Sequence, residues 1–105
     1  MKAQIQFIKQ VARKIGKKFQ PQKIILFGSY SKGCPNPQSD VDLLVIFADK
    51  KKLSQRYIEI SKEIEPRLFP VDLLIRSSKD IQRRLKMGDS FIEEVIRKGK
   101  VLYES

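Results

Sequence analysis

The sequence predicts an α/β (α+β) fold, a small mixed β-sheet flanked by helices. Apolar residues recur at helical spacing in four separate stretches, while three short runs of Ile, Leu, Val and Phe bounded by turn residues read as strands. These segments alternate as helix, strand, strand, helix, strand, helix, helix, with a short strand at the end. At 105 residues the chain reads as one domain spanning 1–105, with enough length to bury a core. It contains no repeat, no low-complexity tract and no linker that would divide it.

The opening helix rests on Ile5, Ile8, Val11, Ala12, Ile15 and Phe19, with Lys9, Arg13, Lys14, Lys17 and Lys18 elsewhere on the wheel. Gln20-Pro21 ends it, because the residue before a proline is disfavoured in helical conformation. Lys23 to Phe27 is a buried strand closed by Gly28. The loop Gly33 to Gln38 holds two prolines and an asparagine and must be irregular. Asp42 to Phe47 is the second buried strand. Leu53, Tyr57, Ile60 and Ile64 mark a helix of about three turns, stopped at Glu65-Pro66. Val71 to Ile75 is the third strand. Ser77 or Ser78 caps a helix carrying Ile81 and Leu85, and Asp89 or Ser90 caps a last one bearing Phe91, Ile92, Val95 and Ile96. Gly99 ends that helix, and Val101 to Tyr103 adds a short edge strand.

Composition narrows the chemistry. The chain has no histidine, which excludes Ser-His and Cys-His machinery and a His-ligated zinc site. Metal binding and proton transfer therefore fall to carboxylates, lysines or tyrosines, which favours magnesium over zinc. Cys34 is the single cysteine, so no internal disulfide forms and a reducing cytoplasm is expected. No apolar run approaches the roughly 20 residues a membrane helix needs. Net charge is +10, and residues 1–39 carry eight Lys or Arg and no acid. Such a segment suits RNA, DNA or an acidic protein, and equally a lysine-rich solvated helix face.

One stretch holds the chemistry. Gly28-Ser29-Tyr30-Ser31-Lys32-Gly33 is followed six residues later by Ser39-Asp40-Val41-Asp42-Leu43-Leu44. A glycine–serine turn offers backbone N–H groups to phosphate oxygens. Asp40 and Asp42 are spaced so that both carboxylates share one face of a strand. The turn suits a polyphosphate and the acids suit a hard divalent cation, which together describe a nucleoside-triphosphate site. Neither a Gly-x-x-x-x-Gly-Lys-Ser/Thr loop nor a Gly-x-Gly-x-x-Gly is present, so P-loop and dinucleotide readings fail.

Asp72 adds a third carboxylate inside the apolar run Val71 to Ile75. Strands this apolar are ordinarily buried on both faces, where an isolated carboxylate is costly. Three clustered carboxylates also repel one another and need a shared cation to stay ionised. A pair of magnesium ions held by Asp40, Asp42 and Asp72 meets that need and performs phosphoryl-type chemistry.

Gly28-Ser29-(x)3-Gly33, then Ser39-Asp40-Val41-Asp42-Leu43, then a distal Asp72, resembles the minimal nucleotidyltransferase (MNT) family of the DNA polymerase beta-like superfamily. The resemblance covers nearly the whole chain. It implies that Gly28 and Ser29 hold the triphosphate, that Asp40 and Asp42 bind magnesium, and that Asp72 completes the metal site and helps deprotonate the attacking hydroxyl. Members often have a basic residue where this chain has Tyr30; Lys32 is the candidate substitute, with Gly33 and Ser39 completing the binding set. Larger relatives add a domain that holds the acceptor, for which 105 residues leave no room. Small MNT proteins pair with HEPN-domain ribonuclease toxins as antitoxins. By that resemblance, the chain is expected to transfer AMP from ATP to a hydroxyl of its partner, within a homo- or hetero-oligomer.

Three other readings stay open. The chain could mask a toxin by contact alone, bind RNA through its basic opening helix, or modify a small molecule together with a partner subunit.

Overall fold

The computed structural model describes residues 5–28, 41–65 and 69–105. In chain order the elements are α1 (Ile5–Phe19), β1 (Lys23–Phe27), β2 (Val41–Phe47), α2 (Leu53–Glu63), β3 (Val71–Ser77), α3 (Ser78–Lys86), α4 (Ser90–Lys98) and β4 (Lys100–Glu104). The strands form a mixed sheet in the order β3-β2-β1-β4. β1 runs antiparallel to both β2 and β4, while β2 and β3 are parallel, joined by the crossover through α2.

Strand alternation gives the sheet two apolar faces, and helices cover each. Ile24, Leu26, Leu43, Val45, Phe47, Leu73 and Ile75 pack with Ile8, Ala12 and Ile15 of α1 and Ile60 of α2. On the opposite face Ile25, Leu44 and Ile46 pack with Ile81 of α3 and Ile92 and Val95 of α4. β2 is therefore apolar on both sides because it is covered on both sides.

Local chemistry sets the boundaries. α1 stops where Gln20 turns left-handed at φ 51° and donates its N–H to the Gly16 carbonyl at 3.0 Å, directly before Pro21. Gly16 is needed for another reason: a Cβ there would overlap the Tyr103 ring, so β4 lies directly against α1. The Ser77 side chain caps α3 by accepting from the Asp80 N–H at 3.2 Å, and Asp89 caps α4 by accepting from Ile92 N–H at 3.1 Å. The expected final strand is β4, on the sheet's edge, with a register shift between Ile24 and Ile25.

Two expectations need correction. Tyr57 fits the apolar period of α2 but is 45% exposed, because Leu53, Ile60 and Ile64 suffice to seat that helix. β3 is not buried on both faces. It is an edge strand, and its residues alternate buried with half-buried or exposed.

Candidate active site

β2 and β3 pair in parallel register, Val41 opposite Val71 and Asp42 opposite Asp72. Residues so paired send their side chains to the same face, from strands about 4.8 Å apart. The face is the one covered by α3 and α4, since Leu44 and Ile46 follow Asp42 in the same row. Two carboxylates thus stand side by side where β2 and β3 begin, just before the helices close over the sheet.

β1 delivers the glycine turn to the same place. Phe27 pairs with Asp42, so the chain leaves β1 at Gly28 beside the start of β2. Gly28 has φ +77°, and a Cβ at that position would overlap Asp42 Oδ2. Absence of a side chain therefore lets the Asp42 carboxylate lie against the backbone of the turn.

Of the residues singled out from sequence, the structure brings together Gly28, Asp42 and Asp72. Asp40, Ser29, Lys32, Gly33 and Ser39 lie outside the described residues. Among the described residues no group of three His, Cys, Asp or Glu could hold a metal. Asp42 and Asp72 supply two carboxylates of the expected three. Their hard, paired oxygen donors fit magnesium in kind. One argument from sequence fails here: Asp72 is exposed and Asp42 half-buried, so burial does not make Asp72 costly. The edge position of β3 explains it: among the described residues no further strand or helix covers that end.

Nothing in the sequence pointed to the cleft beside Gly28. It measures about 80 Å³, and Phe27, Gly28, Phe91, Glu94 and Lys98 line it. Phe91 meets Phe27 edge-on, with ring centroids 5.7 Å apart and planes at 81°. Helical periodicity put Phe91 on the apolar side of α4, and no sequence signal distinguishes a core ring from a rim ring.

A larger cleft, about 630 Å³, opens at the opposite ends of β2 and β3, lined by Lys50, Lys51, Lys79, Asp80 and Arg83. Its two acids, Asp49 and Asp80, are each paired with arginines, Arg56 for the first and Arg83 and Arg84 for the second, so volume does not mark the chemistry. Asp80 is held below the usual carboxyl range by hydrogen bonds from Arg83 and Arg84. That arrangement is a structural ion cluster. On α1, Lys9, Arg13, Lys14 and Lys17 are exposed, and Lys18 pairs with Glu63 of α2 at 2.6 Å. No helix among the described residues is long and apolar enough to cross a membrane.

The family model described as nucleotidyltransferase domain matches residues 8–102. A protein of Methanocaldococcus jannaschii, named by inference as a protein adenylyltransferase, is 35% identical over 77 residues, covering 68% of this chain and 77% of its own. Among solved structures, an inferred nucleotidyltransferase from Sulfolobus solfataricus superposes with a TM-score of 0.65 at 17% identity, covering 95% of this chain and 79% of that one. A toxin–antitoxin structure with AMP-PNP gives 0.51 at 23% identity, covering 92% and 73%. At such identities the two structures speak for the fold alone.

Proposed function

Because this chain belongs to the nucleotidyltransferase domain family, we propose that it is an enzyme moving AMP from ATP to a hydroxyl of a partner protein. The observation that carries this is Asp42, in register with Asp72 on one side and against Gly28 on the other. Gly28 and Ser29 present backbone N–H groups to the triphosphate, with Lys32, Gly33 and Ser39 as further contacts. Asp40, Asp42 and Asp72 are the acidic set. Magnesium held by these three would stabilise charge on the attacking and leaving oxygens. Exposed at the open end of β3, Asp72 is suited to take the proton of an incoming hydroxyl. The hydroxyl oxygen attacks the α-phosphorus, forming the new ester bond as the bond to diphosphate breaks.

The name of the M. jannaschii relative supports a protein acceptor, and the toxin–antitoxin neighbour with AMP-PNP, an ATP analogue, supports ATP and a toxin partner. The motif set's likeness to the MNT family supports a HEPN ribonuclease toxin in that role, and the single Cys34 supports a reducing cytoplasm as the setting. Exposed Lys9, Arg13, Lys14 and Lys17 on α1 support RNA contact as a second activity. Binding that falls steeply with salt and survives Asp42→Asn would identify it.

The deciding experiment incubates the protein with ATP, magnesium and the product of the neighbouring gene, then weighs both chains. An AMP-sized gain on the partner, lost with Asp42→Asn, is expected. A variant that still neutralises its partner without any gain makes the protein a masking antitoxin. Diphosphate release only with an added small hydroxyl compound makes it a small-molecule transferase.

A further inference from the structure

Phe91 is an aromatic ring that the core does not need. It sits in the first turn of α4 and keeps 51% of its surface exposed, while Ile92 and Val95 seat the helix. Single exposed apolar residues are ordinary, but this ring is held. Phe27 meets it edge-on at 5.7 Å between centroids, which fixes its orientation and leaves ring surface open. Phe27 is also the residue paired with Asp42 and the one that precedes Gly28. The ring is thereby tied, through one neighbour, to the carboxylate end of the sheet.

The cleft between α4 and Gly28 has the polarity of a nucleotide. Phe91, Glu94, Val95 and Lys98 form one stripe of α4 along it. Seven residues of helix rise about 10 Å, so an aromatic surface stands at one end and a cation at the other. That separation is on the order of the span from base to phosphate in a nucleotide. Glu94 and Lys98, paired loosely at 3.8 Å, place one acceptor and one donor on the rim. At about 80 Å³ the cleft takes the edge of a ring and not a whole nucleotide, so the open face of Phe91 supplies the remaining contact.

Resting on the nucleotidyl-transfer reading above, we infer that Phe91 is the stacking platform for the base of the nucleoside triphosphate. It acts on binding and orientation of the nucleotide and not on the reacting atoms.

The test titrates AMP-PNP with magnesium, and separately inorganic tripolyphosphate with magnesium, into the wild type, Phe91→Ala and Phe91→Trp. Stacking predicts that Phe91→Ala weakens AMP-PNP binding roughly tenfold, leaves tripolyphosphate affinity unchanged, and is rescued by Phe91→Trp. Circular dichroism confirms folding, which truncation of a half-exposed side chain should preserve. Equal AMP-PNP affinity in the wild type and Phe91→Ala overturns the inference alone, and with reduced partner modification it makes Phe91 an acceptor contact. Parallel loss of AMP-PNP and tripolyphosphate binding also overturns it. A wild type that binds no AMP-PNP overturns the nucleotidyl-transfer reading and this inference with it.

Discussion

Asp42 and Asp72 are direct partners across the parallel β2–β3 pair, and they come from strands separated in sequence by all of α2. Their juxtaposition depends on backbone register, which a single side-chain change leaves intact. Asp42→Asn and Asp72→Asn should therefore each lower nucleotidyl transfer roughly hundredfold or more. Both variants should unfold at close to the wild-type temperature. Transfer assays beside thermal denaturation separate the two effects.

Gly28→Ala should damage both fold and activity. The backbone at φ +77° disfavours any side chain by about 1–2 kcal/mol, and the added methyl would overlap Asp42 Oδ2. Gly88→Ala is the control: it too has positive φ, at +80°, but a Cβ there meets nothing within 4 Å. Gly88→Ala should lose stability alone, as chemical denaturation and transfer rates on both variants would record.

Ser77→Ala removes the α3 cap. Ser77 is buried and its side chain accepts from the Asp80 N–H, so the loss should be about 1 kcal/mol. For a domain this size that corresponds to roughly 4–8 °C in Tm. Transfer activity at low temperature should be unaffected, because Ser77 lies at the far end of β3 from Asp72.

Acid should loosen the α3–α4 pair. Asp80 is held below its ordinary carboxyl range by hydrogen bonds from Arg83 and Arg84, and Asp89 by the Ile92 N–H and then Arg84. A carboxyl depressed in the folded state contributes stability that is fully present above the unfolded value, near 4, and is lost as pH falls through the lower folded value. Tm should stay level from pH 8 to about 5 and drop below about 4. In Asp80→Asn the drop should be smaller. Circular dichroism melts across that range would record both.

The elements were legible because each carries a local signal. The apolar period of α1, the turn glycines and the caps at Ser77 and Asp89 all act within a few residues. Sheet order was not legible, because which strand pairs with β2 depends on distant residues and on the crossover through α2. Asp72 shows the cost of that gap. An apolar run reads as doubly buried until the strand is known to sit on an edge. Of the candidate site, Gly28, Asp42 and Asp72 were readable from residue type and spacing. Phe91 was not, since the same helical period describes a ring inside the core and a ring on its rim.

The contact between Gly16 and Tyr103 has a consequence for how the chain is made. Among the described residues β1 receives its outer neighbour from Lys100–Glu104, so during synthesis Lys23 to Phe27 waits with one bare, apolar edge until those residues emerge. Loss of that late segment, by stalled synthesis or by proteolysis, would leave a strand edge open to pairing with another copy. Closure of the sheet by β4 then guards β1 against pairing with another copy, at the edge opposite β3 and its Asp72.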